Sequence, residues 1–95
     1  MTWAELHLKY ADKYRKKGEY EKAVKEYRAA LKSGDLNEVG IKYTFSNIVD
    51  CYLSLKKWND AKICLDQSLK WGKEHNLNCY NDYYNFGRLY YFQND

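Results

Sequence analysis

The 95-residue chain contains no proline, and only five glycines. That scarcity argues against a strand-and-turn fold and favours long uninterrupted helices. No run of about 18 apolar residues occurs, so no segment reads as a membrane span. The opening stretch MTWAELHLKYADKY is amphipathic and carries carboxylates, which excludes a secretory signal. There is no C-x-x-C pair. Cys51, Cys64 and Cys79 are odd in number and widely spaced, which excludes a disulfide framework and a zinc knuckle. They are expected to be small apolar helix residues in a reducing, cytoplasmic setting. Charge is not strongly of one sign. A net charge of +3 is too small to imply nucleic acid.

Aromatic residues are abundant: 11 Tyr, 3 Trp and 3 Phe. A chain of this length buries about 60–65% of its unfolded surface, so rings must supply much of a small core. The apolar residues are placed at helical spacing. Tyr20, Ala23, Val24, Tyr27, Ala30 and Leu31 form one face of a helix. Trp3, Leu6, Tyr10, Ala11 and Tyr14 form another before Gly18, so the two segments make an antiparallel pair. The small Ala11, Ala23 and Ala30 allow close backbone approach, with Tyr14, Tyr20 and Tyr27 filling the space around them. Asp35 or Asn37 offers an N-cap to a third stripe through Val39, Tyr43, Phe45, Ile48, Val49, Tyr52, Leu53 and Leu55. Trp58, Ala61, Cys64, Leu65, Ser68 and Leu69 form a fourth, ended by Gly72 or Asn76. A fifth, capped by Asn76 or Asn78, runs through Tyr80, Tyr83, Tyr84, Phe86, Leu89, Tyr90 and Phe92. The spacing predicts five helices, over 2–17, 20–33, 38–55, 58–74 and 79–93.

The chain also repeats itself. EYEKAVKEYRAALKSG (19–34) returns 38 residues later as KWNDAKICLDQSLKWG (57–72). At the same interval Tyr14, Tyr52 and Tyr90 coincide, as do Tyr10, Ile48 and Phe86, and Ala11, Val49 and Gly87. A helix pair present two and a half times is the pattern of a stacked solenoid.

YADKYRKKGEYEKAVKEYRAAL (10–31) resembles the tetratricopeptide repeat, through Ala11, Tyr14, Gly18, Tyr20, Ala23, Tyr27, Ala30 and Leu31. A second unit matches through Phe45, Ile48, Tyr52, Trp58, Ala61, Leu65, Ser68 and Leu69. A third shows its first helix only, with Phe86, Gly87 and Tyr90. The resemblance implies one all-α domain over 1–95, with repeat one at about 4–37, repeat two at about 42–75 and the first helix of a third at about 79–95. Three departures stand out. The interval is 38 rather than 34. Asp35 and Lys73 stand where a proline usually follows the second helix. Lys56 replaces the turn glycine, at a cost of about 1 kcal/mol if it is left-handed. The longer period looks more like the scaffold, kinesin-light-chain and bacterial peptide-sensor branches than the short-period chaperone adaptors.

The resemblance further implies a protein-protein interaction module, not an enzyme, with a concave groove lined by the first helix of each pair. Carried over by position, the groove holds Glu5, Leu8, Lys9, Asp12, Arg15 and Lys16, then Tyr43, Ser46, Asn47, Asp50, Leu53 and Ser54, then Asn81, Tyr84, Asn85, Arg88, Tyr91 and Phe92. From these, the peptide-binding set is Lys9, Asp12, Tyr43, Asn47, Asp50, Asn81, Tyr84, Asn85 and Arg88. Asn47 and Asn85 share a register, and their amides suit a peptide main chain. The expectation is an asparagine ladder with Tyr43, Tyr84 and Tyr91 as platforms; the alternative is that each Asn pairs with a neighbouring helix. A carboxylate clamp for acidic tails is excluded, because Leu8, Asp12, Asn47, Asn81 and Asn85 supply one of its five groups. The groove's mixed charges imply a peptide of mixed or slightly acidic character.

No cofactor or metal is implied. His7 and His75 lie in different units without an adjacent nucleophile, and no Gly-rich phosphate loop occurs. KYRKK (13–17) is read as a solvated helix end opposing its dipole. The last helix is aromatic nearly all round, whereas a capping helix should have a polar outer face. Two expectations follow: a longer repeat array, or self-association through this helix. The alternative is that tyrosine hydroxyls keep the face wet. A sensor segment of a peptide-responsive regulator is a third possibility and would need an effector domain.

Overall fold

A computed structural model describes residues 1–94. Five helices run in order: α1 Trp3–Lys16, α2 Tyr20–Lys32, α3 Glu38–Ser54, α4 Trp58–Glu74 and α5 Tyr80–Gln93. No strand occurs among the described residues. All five expected helices are present, each within two residues of its expected ends. No helix among the described residues is long and apolar enough to cross a membrane.

The helix ends follow from local chemistry. The Thr2 hydroxyl accepts from the Glu5 amide at 3.1 Å and caps α1. The Asn37 side-chain Oδ1 does the same for the Gly40 amide at 2.8 Å, so Asn37 rather than Asp35 caps α3. At the start of α5 the Asn78 side chain accepts from the Tyr80 amide at 2.7 Å. Three helices end in the same way. The amides of Glu19, Lys57 and Leu77 reach back to the carbonyls of Tyr14, Tyr52 and Gly72, at 2.9, 2.9 and 2.8 Å. The residue before each is left-handed: Gly18 at φ 79°, Lys56 at φ 58° and Asn76 at φ 57°. This geometry satisfies carbonyls that the end of a helix leaves open. Gly18 and Lys56 are one repeat interval apart, so the backbone repeats even where the residue does not. Asn76, not Gly72, ends α4; Gly72 is buried inside the helix.

Each helix packs on the next in sequence, and α3 also packs on α5. This arrangement is compatible with a helical repeat. One core cluster draws on all five, through Ala11, Ala23, Val24, Tyr27, Ile48, Val49, Cys51, Leu53, Ala61, Cys64, Leu65 and Leu89. Ala11, Ala23 and Ala30 are fully buried, and Tyr27 fills the space they leave. The Tyr27 hydroxyl donates to Asp12 and accepts from Arg15 Nε at 3.0 Å, which meets its polar needs inside the fold. Between the first and second units, Arg28 Nη2 donates to the Tyr52 hydroxyl at 3.0 Å.

Cys51 and Cys64 lie within this core and Cys79 is half-buried. Burial pushes the Cys51 thiol up to about 11 and the Cys64 thiol up to about 12. Below the ordinary thiol value of 9.0, both thiols are protonated whether the chain is folded or not. Above it the unfolded chain ionises first, so stability should fall as the pH rises from 9 towards 11 and 12. Urea titrations over that range check the slope. Thiol-reagent counting at pH 8 should find Cys79 modified in the folded chain, and Cys51 and Cys64 only on unfolding. Replacing Lys56 with Gly should stabilise the chain by about 1 kcal/mol, read as a raised urea midpoint, because a left-handed Cβ is removed.

Candidate peptide groove between α3 and α5

The wall shared by α3 and α5 is where most of the expected groove residues meet. Asn81 Nδ2 donates to Ser46 Oγ at 2.9 Å, and Asn85 Nδ2 lies 3.5 Å from the same oxygen. Arg88 Nη1 donates to Asp50 Oδ1 at 2.7 Å and to Asn85 Oδ1 at 3.0 Å. The Arg88 guanidinium also lies 5.9 Å from the centre of the Tyr84 ring. Both sides of this pair are about one-third exposed, so screening keeps its contribution to about 1 kcal/mol or less. Its geometric effect is firmer: one guanidinium holds a carboxylate, an amide and a ring in fixed relation.

A hollow opens at each end of the wall. One, of about 410 Å³, is lined by Val39, Lys42, Tyr43, Ser46, Leu77, Asn78 and Asn81. The other, of about 540 Å³, is lined by Leu53, Ser54, Lys56, Trp58, Arg88 and Phe92. The first is mostly apolar, with the half-exposed Tyr43 ring as one side. The Asp50–Arg88 pair borders the second hollow on the side that faces the first.

The two ladder asparagines differ. Asn85 is 2% exposed, and its amide is occupied by Ser46 and Arg88. The alternative reading, pairing with a neighbouring helix, is the one the structure gives there. Asn47 is 7% exposed, and its Nδ2 has no hydrogen-bond partner. A buried donor left unpaired costs about 1–3 kcal/mol. The unit-one residues stand apart from both hollows. Asp12 accepts from Tyr27 and lies 3.5 Å from Arg15, and Lys9 is exposed on α1. Neither lines a hollow.

A polar cluster beneath the first hollow escaped the sequence reading. Lys42 Nζ of α3 pairs with Asp82 of α5, and donates to Ser68 Oγ of α4 at 2.9 Å and to the Ser68 carbonyl at 3.2 Å. Ser68 Oγ donates in turn to Asp82 Oδ1 at 2.7 Å. Asp82 is 4% exposed. The only available signal was a pair of opposite charges at inward-facing positions of the third and fifth stripes. Gly72 makes room for the ammonium: an added Cβ would lie 3.2 Å from Lys42 Nζ and 3.1 Å from Cys79 Sγ. The histidines have local partners. His7 Nδ1 lies 2.7 Å from Glu26 Oε2, and His75 stacks on Trp71 with ring centres 4.1 Å apart.

Compared with protein-family models, curated proteins and solved structures, the chain matches none.

Removing one partner of the buried pair should be costly, because it strands the other charge. Asp82→Ala is expected to destabilise the chain by about 3 kcal/mol, and a Lys42→Met, Asp82→Leu double variant by much less. Chemical denaturation of the parent chain and the two variants gives the comparison.

Proposed function

We propose that this chain is a protein-interaction module that takes an extended peptide along the wall of α3 and α5, as the tetratricopeptide resemblance implies. The observation that carries the reading is Asn47. Its amide donor is unpaired on the wall's register but has less than 1 Å² of open surface, so a main-chain carbonyl would recover the lost hydrogen bond once the Asn47 side chain turns outward to meet it. The hollows supply the second requirement of peptide recognition, which is pockets for side chains. Because Asp50 and Arg88 neutralise each other, and the first hollow is mostly apolar, the favoured ligand carries apolar side chains on either side of a short polar spacer. This narrows the mixed or slightly acidic peptide expected from the groove's charges alone. Tyr43, Asn81 and Arg88 border the hollows; Asp50 and Asn85 hold Arg88; Tyr84 presents its ring beside it. Lys9 and Asp12 would touch only the far end of a longer ligand.

The test starts from a random peptide library panned on the intact chain. Selected peptides are titrated by fluorescence anisotropy. Asn47→Ala should weaken them about tenfold, about 1.4 kcal/mol, without lowering thermal stability, because the substitution removes an unpaired donor. Tyr43→Ala should weaken the same peptides. Affinities unmoved by both substitutions would discard the reading.

A further inference from the structure

The outer face of α5 is unlike the rest of the surface. Tyr80, Tyr83, Tyr84, Tyr90 and Tyr91 are each more than half exposed. At 100° per residue they fall within a sector of about 120°, opposite the inward-facing Asp82, Asn85 and Leu89. The sector carries no charge. The two charged residues of α5 are Asp82, paired with Lys42, and Arg88, paired with Asp50.

Gly87 lies at the centre of this sector. A glycine inside a helix weakens it relative to alanine. Nothing within one copy calls for it, since a Cβ added there would meet no atom within 4 Å. One and two repeat intervals earlier stand Val49 and Ala11, both sealed in the core. Gly87 occupies the position at which this fold covers a helix, yet it is open. A helix crossing there could approach closer than any side chain would allow.

The geometry points to a second copy of this chain as the occupant, with α5 crossing α5 about a twofold axis at Gly87. Three observations favour it. The crossing sets the gap at Gly87, rimmed by Tyr83, Tyr84, Tyr90 and Tyr91, against the same gap in the other copy, so that the rings of the two copies can interleave around it. It sets uncharged tyrosines against uncharged tyrosines, whereas the exposed side of α1 carries Glu5, Lys9, Lys13 and Lys16 and would be a poorer mate. The area also suffices. At about 200 Å² for a whole aromatic side chain, the five tyrosines leave about 600 Å² open per copy, hence about 1,200 Å² for two. That reaches the lower end of the range for specific interfaces, about 1,200–2,000 Å². A twofold contact closes at two copies. The inference shares Tyr84 and Tyr91 with the peptide reading but rests on Gly87 and the outer sector as a whole, not on Asn47 or the hollows.

Sedimentation velocity of the whole chain from about 1 to about 300 µM should show a monomer–dimer equilibrium. Gly87→Leu should weaken dimerisation at least about tenfold while leaving the thermal midpoint of the dilute chain unchanged or higher. Tyr84→Glu should do the same by placing a carboxylate in the contact. In a Cys79→Ser background, Gly87→Cys should form a disulfide-linked dimer under mild oxidation. A strictly monomeric chain overturns the proposal, as does a dimer indifferent to either Gly87→Leu or Tyr84→Glu, or one that yields no cross-link at position 87. Asn47→Ala should leave the dimer intact, so the two proposals can fail separately.

Discussion

Close approach of helix backbones over small side chains is the constraint on which this structure depends. A chain of 95 residues has little core to spend. It reaches native packing by sealing the small Ala11, Ala23 and Ala30 inside, repeating the device at Ala61 and Ser68, and letting Tyr27, Ile48 and Leu65 fill what remains. The tight turns exist to deliver those contacts. Left-handed Gly18, Lys56 and Asn76 reverse the chain within a few residues, and each closes the preceding helix with the same backbone hydrogen bond. The wall of α3 and α5 is a by-product of the same spacing, since these two helices lie side by side only because α4 returns the chain.

Much of this was legible beforehand. Alanine and tyrosine at helical intervals identified the faces, and the 38-residue echo identified which helices are equivalent. The left-handed Lys56 was foreseeable because its counterpart one repeat earlier is a glycine. What stayed hidden was polar and pairwise. Periodicity ranks apolar residues and is silent on which buried cation will meet which carboxylate. Nothing in the pattern therefore singles out Lys42 and Asp82, although they meet inside the fold. The asparagine pair shows the same limit. Register placed Asn47 and Asn85 on equivalent positions, but Ser46 and Arg88 occupy only the second. No single-residue rule distinguishes them, because the difference lies in their neighbours.

The aromatic richness of the last helix was visible, but its meaning depended on where the charges went. Asp82 and Arg88 could have made that helix amphipathic towards water. Instead both point to partners on α3, and the outer sector is left to tyrosine and Gly87. A surface can thus be stripped of charge without any shortage of charged residues, simply by turning them inward.

This has a mechanical corollary for α5. The first four helices adhere chiefly through alanine, valine, isoleucine, leucine and tyrosine, and water exclusion holds them without help from ion pairs that salt would screen. The fifth brings Leu89 and the half-buried Phe86 to the core, and otherwise grips through Asn81, Asn85, Arg88 and the Lys42 cluster. It is fastened as a clasp is, by a few polar catches along one seam. Dissolved ions screen the partly open Arg88–Asp50 catch most, and the sheltered Lys42–Asp82 catch least.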